Sequence, residues 1–377
     1  MTQAQRLLFV VNNPAFFLSH RLPLALAAQR AGYEVHVATM DGDSVPQIAA
    51  HGLTHHAIPM TRSGKQPLQE LRTLWALYRL FRRLQPALVH LVTIKPVLYG
   101  GIAARLARVP AMVSAISGLG FVFVASGAKA AVIRQVVAML YRMALGHRNS
   151  RIVFQNANDH EILRGLGAVR DEQVVMIRGS GVDLAAYPPM AEPSPPVAAL
   201  MVSRLLRDKG VLEFVEAARL LQRQGAGVRM LLAGGIDPGN PASVTQADVD
   251  GWQQEGCIEA LGERSDVADL YAGSHMAVLP SYREGLPRSL IEAAACARAV
   301  VTTDVPGCRD AIEPGETGLL VPPRDARALA DAIARLAADA ALRRQLGEAG
   351  RRLAEREFDI EDVCRKHLDI YRALLQP

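Results

Sequence analysis

Two glutamates, Glu284 and Glu292, stand with seven residues between them in the segment PSYREGLPRSLIEAAACARAVV (280–301). Glu284 follows an apolar run that reads as a strand, and Glu292 falls on a segment of helical period. Gly285 permits a tight turn or a close ligand approach, and Pro287 suits the first position of a helix, where its missing N–H is not needed. The start of that helix, with Leu286, Arg288 and Ser289, offers unpaired N–H groups to an anion. A second cluster, SRLLRDKG (203–210), places Arg204 and Lys209 around a turn after another apolar run. Two cations at such a turn can hold a diphosphate and stabilise the charge that develops on it as a leaving group. Carboxylates for hydroxyls and cations for a diphosphate together suit a sugar nucleotide. Gly234, again after an apolar run, and Arg264 in LGERSDV (261–267) are placed to shape a pocket for the base.

The elements that must position these residues follow from hydrophobic periodicity. Apolar, β-branched runs recur at 7–11, 33–38, 87–92, 112–116 and 151–154, and again at 197–202, 228–233, 276–279, 299–302 and 318–321, with helical-period segments between them. Strands alternating with helices predict parallel sheets covered by helices. A proline-rich stretch, 187–196, separates the two series and reads as the domain boundary. The predicted organisation is a first α/β domain over 1–190, a second over 191–355, and a C-terminal helical segment, 356–377, free to pack back on the first domain. Two such units predict a cleft lined by the C-terminal ends of both sheets.

The first domain is strongly basic. Residues 1–190 carry 20 Lys/Arg against 9 Asp/Glu, whereas the remainder carries 22 against 28, and from Ser44 to Asn158 there are 14 bases and one acid, Glu70. This half should face something anionic. Its first loop, Asn12-Asn13-Pro14, lacks the glycine fingerprint of a dinucleotide fold, since no glycine occurs before Gly32. Ser19 reads as the N-cap of the following helix, with His20 and Arg21 in its first turn. Asn13, His20, Arg21, Lys95, Gly118 and Gly120 are the candidate acceptor-binding residues of this domain. The segments 72–84 and 129–147 interleave bases with apolar and aromatic residues, a pattern that fits either an anionic membrane surface or ordinary core packing. Phe121-Val122-Phe123-Val124 is a further candidate lipid contact.

The motifs SRLLRDKG, LGERSDV, PSYREGLPRSLIEAAACARAVVTTDVPGC and ETGLLVPP, in this order, resemble family 4 of the glycosyltransferases, the retaining enzymes of the GT-B fold, in which two Rossmann-like domains face each other across a cleft. The similarity is greatest to enzymes that extend a sugar carried on undecaprenyl diphosphate, such as the bacillosamine-linked N-acetylgalactosaminyltransferases; FFLSHRLPLALA and ISGLGFVF carry it. The resemblance implies that Glu284 contacts the donor sugar, Glu292 the ribose hydroxyls, and Arg204 and Lys209 the donor diphosphate. It also implies retention at the anomeric carbon, no cofactor and no essential metal. Two departures stand out. Asn12-Asn13 replaces the glycine pair of many members, and Ser117 to Gly120 replaces a loop in which many carry a histidine.

The expected activity is transfer of a sugar, an N-acetylhexosamine, from a UDP donor to an undecaprenyl-diphosphate-linked saccharide. No apolar run reaches the length of about 20 residues that spans a bilayer, and the start lacks the pattern of a signal peptide. The expectation is therefore a cytoplasmic protein, peripheral on the inner membrane through its basic domain, with no nucleic acid as partner. Cys257, Cys296, Cys308 and Cys364 are widely spaced and read as inert thiols. The rival readings are a UDP-sugar epimerase of related fold, and a noncatalytic nucleotide-sugar-binding or nucleic-acid-binding protein.

Overall fold

All ten apolar runs form strands in the computed structural model, which describes residues 4–60, 67–119 and 128–376. The chain divides into two units. Unit 1 comprises residues 1–180 and 360–377, and unit 2 comprises 181–359. In unit 1 the strands β1 (Arg6–Val11), β2 (Glu34–Thr39), β3 (Thr54–Ala57), β4 (Leu88–Val92), β5 (Ala111–Ile116), β6 (Ser150–Phe154) and β7 (Val174–Met176) form one parallel sheet in the order β3-β2-β1-β4-β5-β6-β7. In unit 2, β8 (Ala198–Val202), β9 (Arg229–Ala233), β10 (Glu259–Gly262), β11 (Met276–Leu279), β12 (Ala299–Thr303) and β13 (Gly318–Val321) form a second, in the order β10-β9-β8-β11-β12-β13. The central strands are buried on both faces, which is why their sequences are apolar throughout rather than alternating. Each sheet reverses its strand order once, between β1 and β4 and between β8 and β11. Such a reversal opens a crevice beyond the carboxyl ends of the two strands that flank it.

The unit boundary falls about ten residues earlier than the proline-rich stretch suggests. Val182 donates its N–H to Phe358 O at 2.8 Å, Arg343 forks onto the Glu192 carboxylate at 3.0 and 2.9 Å, and Arg298 donates to Met190 O and Ala191 O. The prolines therefore lie on the surface of unit 2, tied down by two almost fully buried arginines, and the crossings are at Ser180/Gly181 and Asp359/Ile360.

The last helix, Ile360–Leu375, belongs to unit 1 and buries Val363, Cys364, His367, Tyr371 and Leu374. His90 of β4 and His367 stack with ring centroids 5.6 Å apart, and His90 Nδ1 shares a short hydrogen bond with the Tyr371 hydroxyl. Burial, with the Arg21 guanidinium nearby, holds His367 down to about 4 and His90 well below the usual imidazole range. A base whose folded pKa is depressed takes up its proton only in the unfolded form. Stability is then complete above about pH 6.5 and falls as pH drops toward 4, by at most about 1.4 kcal/mol per pH unit for each histidine. Amide hydrogen exchange over residues 360–375 should therefore accelerate between pH 6.5 and 4.5, beyond the intrinsic pH effect on exchange. In the His367→Leu variant that excess should be roughly halved.

Candidate active site

The motifs converge on the carboxyl end of the second sheet, around its order reversal. After β8 the chain runs through Ser203 and Arg204 into a single 3₁₀ turn, Arg207–Lys209, and reaches Gly210 at φ +75° before the helix Val211–Arg223. A Cβ on Gly210 would lie 2.1 Å from Pro280 O, so this loop is pressed against the end of β11. Tyr282 N donates to Asp208 O across the same seam at 2.9 Å. The close approach brings Lys209 Nζ to 2.5 Å from Glu284 Oε1, and Ser281 Oγ donates to the same oxygen at 2.7 Å. Lys209 and Glu284 have side chains only 20 % and 10 % exposed, and a pair at such depth gains little net stability because both charges lose water. Its value is geometric, since a cation is fixed at a strand-end crevice before any ligand arrives. Behind it the Cys308 thiol is fully buried and pushed up to about 12, by burial first and then by the Glu284 charge.

Arg204 projects more openly and pairs with Asp237 Oδ2 at 2.9 Å. Asp237 lies just beyond Gly234, whose backbone approaches Ser203 so closely that a Cβ would sit 1.7 Å from Ser203 O. Thus Lys209, Glu284, Arg204 and Gly234 share one edge of one sheet. Pro287 is the N-cap rather than the first helical residue, with extended dihedrals, and Arg288 opens the helix Arg288–Ala295. Leu286 is buried beneath this turn, and Ser289 O accepts the Tyr271 hydroxyl at 2.7 Å.

Glu292 is 6 % exposed, and its Oε1 takes both the Tyr187 hydroxyl at 3.0 Å and the Arg288 guanidinium at 2.6 Å. Burial pushes its pKa up, against the opposing pull of Arg288. Both donors therefore engage the same oxygen of the carboxyl. Arg264 forms an exposed ion pair with Asp266, two residues along its own loop. Sequence reasoning missed Tyr187, Ser281 and Asp237. Tyr187 was hidden in a segment that reads as linker, whereas Asp237, three residues past a glycine at a strand end, carries a usable signal.

In unit 1 the sequence expectations need revision. The first helix begins at Pro14, capped by Asn13, whose Oδ1 accepts Phe16 N at 3.2 Å, so Asn13 is occupied in capping. Ser19 lies inside that helix rather than at its start, and donates to Ala15 O. His20 stacks on Phe16 with centroids 4.0 Å apart and bonds Ser19 Oγ at 2.7 Å. Arg21 is 3 % exposed, close to Tyr371 and Cys364 of the last helix, and burial lowers its pKa to about 10. It is therefore part of the core and not a ligand contact. Lys95 pairs with Glu70, and Gly118, two residues past the end of β5, has φ +118°. Gly120, like Phe121 to Val124, lies outside the described residues.

Comparison with known proteins bears out the fold and the family resemblance. A family model for 4-like glycosyl transferases matches residues 6–156, and one for group 1 glycosyl transferases matches 196–339, so that together they cover more than half of the chain. The N,N'-diacetylbacillosaminyl-diphospho-undecaprenol alpha-1,3-N-acetylgalactosaminyltransferase of Campylobacter jejuni is 27 % identical over 96 % of this chain and 98 % of its own. The capsular polysaccharide biosynthesis glycosyltransferase CapM of Staphylococcus aureus is 26 % identical over 92 % of each. Among solved structures, the sucrose-phosphate synthase of Thermosynechococcus elongatus superposes with a TM-score of 0.80 at 25 % identity, over 98 % of this chain and 99 % of that one. The glycosyltransferase of Rickettsia africae gives 0.77 at 20 % identity, over 99 % of each chain. Two Rossmann-like units and these matches have one reading: the chain belongs to the group 1, family 4 glycosyltransferases and is a glycosyltransferase of the GT-B fold.

Proposed function

We propose that the enzyme transfers an N-acetylhexosamine from a UDP-sugar to a saccharide carried on undecaprenyl diphosphate, with retention at the anomeric carbon and without a metal. The observation that carries the donor half is the Lys209–Glu284 couple, a cation pinned at 2.5 Å beside Arg204 at a strand-order reversal. Lys209 and Arg204 neutralise the donor diphosphate as it departs, and fixed charges in a partly dry site do this with little reorganisation. Glu284 holds a hydroxyl of the donor sugar, and Glu292 Oε2 holds the ribose. The departing phosphate accepts the acceptor's proton on the face from which it leaves. The acceptor half is supported by near full-length similarity to a relative whose own substrate is named as a diphospho-undecaprenol.

We also propose that unit 1 docks on an anionic membrane surface. The helices Pro67–Leu84, Gly101–Ala107 and Ala128–Leu145 form one layer and expose Leu68, Leu71, Trp75, Leu106, Met139 and Met143. Arginines 72, 79, 82 and 83 are interleaved with them, and the one acid of this region, Glu70, is already paired with Lys95. Bases near such a surface contribute about 1 kcal/mol each. No helix of the described residues is long and apolar enough to cross a membrane.

One assay tests these parts. Purified protein, radiolabelled UDP-N-acetylhexosamines and liposomes bearing undecaprenyl-diphosphate-linked saccharide should yield labelled lipid extract, with an α-linkage from an α-donor and no loss in EDTA. Conversion of donor alone into an epimer, or transfer only to soluble sugar, would overturn the reading. Leu71→Glu with Trp75→Glu should reduce sedimentation with anionic liposomes at least about tenfold, while UDP affinity is unchanged.

A further inference from the structure

A cavity of about 300 Å³ opens at the amino ends of β4 and β5, the end of the first sheet opposite its crevice. Its walls are built twice over from one kind of connection. The helix Pro67–Leu84 runs through Gln85, Pro86 and Ala87 into β4, and the helix Gly101–Ala107 runs through Arg108, Val109 and Pro110 into β5. The buried side chains of Phe81, Pro86 and Val109 give it an apolar floor, and the exposed side chains of Arg82, Gln85 and Arg108 supply its polar groups. Gln85 and Arg108 each follow a helix in the left-handed region, at φ +49° and +58°. Glycine is the usual residue at such a helix end, because a Cβ is strained there. Strained side chains retained at a concave surface point to a use for them.

Two helices that end at one cavity place partial negative charge there, roughly half an elementary charge each, which by itself repels anions. The carbonyls of this rim are already engaged. Leu84 O accepts Arg6 Nη1 at 3.0 Å, Val109 O accepts His147 Nε2 at 2.9 Å, and Pro110 O accepts Asn149 Nδ2 at 3.1 Å. The acid that Arg6 brings to this end, Glu34, is itself paired with Arg6. Glu70, the one acid between Ser44 and Asn158, stands in the first turn of its helix, whereas Arg82 stands in the last. The side chains of Arg82, Gln85 and Arg108, by contrast, have no hydrogen-bond or ion-pair partner among the described residues. Two guanidinium forks and an amide therefore border an apolar floor with nothing to neutralise them. A phosphate monoester has three terminal oxygens to offer such forks, and the organic body it carries would cover Phe81 and Val109. We infer that this cavity is a second ligand site of the chain, one that takes a phosphate monoester with a compact apolar body. Ligands of open α/β sheets that take part in the chemistry bind beyond the carboxyl ends of the strands, so this occupant is neither donor nor acceptor. The inference stands on unit 1 alone and goes beyond the transferase reading.

The test uses the full chain, with excess UDP present as a competitor for the cations of unit 2, titrated by ligand-observed NMR with phenyl phosphate and separately with inorganic phosphate. Phenyl phosphate should bind at least about tenfold more tightly than inorganic phosphate, the gain expected from burying its ring. Arg82→Gln and Arg108→Gly should each weaken phenyl phosphate at least about tenfold, the loss of one hydrogen bond to a charged group. Arg108→Gly also removes a left-handed side chain, so its melting temperature should be at or above that of the wild type, and its UDP affinity unchanged. A merely structural Arg108 does not give that combination. Co-sedimentation separates the two sources of such an ester, a lipid and a soluble compound. If Arg108→Gly loses binding to phosphatidylcholine vesicles doped with phosphatidate but not to vesicles doped to equal charge with phosphatidylglycerol, the ester is a lipid headgroup; any other pattern assigns it to a soluble ester. No binding of phenyl phosphate by the wild type, unchanged affinity in either variant, or inorganic phosphate bound as tightly as the ester would overturn the site.

Discussion

Replacing Lys209 by Met is expected to lower the turnover of sugar transfer about 10²–10³-fold, the range seen when one preorganised donor to a developing oxyanion is removed. The structure gives the reason. Lys209 is not a mobile surface cation, since its ammonium is held on Glu284 Oε1 and that oxygen is itself fixed by Ser281. Methionine keeps most of the stem and removes the charge, so the effect should appear in kcat rather than in folding. UDP affinity should fall less, because the proposed second cation, Arg204, is untouched and is oriented independently by Asp237. Arg204→Met should act in the same direction but more weakly, its side chain being 54 % exposed and more screened by water. Single-turnover transfer measured with saturating donor separates the two quantities. A Lys209→Met enzyme that keeps more than about a tenth of the wild-type rate would remove leaving-group stabilisation from this residue.

How much of this was legible beforehand depended on whether the deciding information is local. Nine interior strands were readable because burial on both faces demands continuous apolar runs, and the edge strand β13 because GLLV is apolar as well. The three that were missed are all edge strands: THHA at β3, VVM at β7 and EALG at β10 are half exposed and either short or broken by polar residues. The chemistry of Arg204, Lys209 and Glu284 was readable from residue type and position after a strand. Their pairings were not, since Lys209 and Glu284 are 75 residues apart and meet only because β8 and β11 are neighbours. Arg21 was misread for a related reason. A base after the first helix looks like a ligand contact until a helix from the far end of the chain covers it. The Asn13-Pro14 cap, by contrast, was a local signal, with asparagine at the N-cap and proline at N1. The prolines of 187–196 read as a linker because nothing local reveals Arg298 and Arg343, the residues that tie them to unit 2.

The same dependence on close packing makes Gly210→Ala a sharper test of the site's architecture than any charge substitution. Two effects add at this position. The φ of +75° alone costs an alanine about 1–2 kcal/mol. A methyl placed 2.1 Å from Pro280 O must also push the loop after β8 away from β11, a backbone displacement in the class of overpacking that costs about 1–3 kcal/mol more. The displacement breaks the Tyr282 N to Asp208 O bond and carries Lys209 off Glu284, so turnover should fall at least as far as in Lys209→Met. Gly225 supplies the control, having φ +67° but nothing within 4 Å of the place a methyl would take. Gly225→Ala should therefore show the dihedral cost alone, with normal transfer. Urea unfolding of unit 2, followed through its buried Trp252, measures both variants on one scale. If the two alanines prove equally destabilising and both remain active, the seam between β8 and β11 is not what holds the cation in place. Lys209 would then owe its position to the Glu284 charge alone, and high salt should release it.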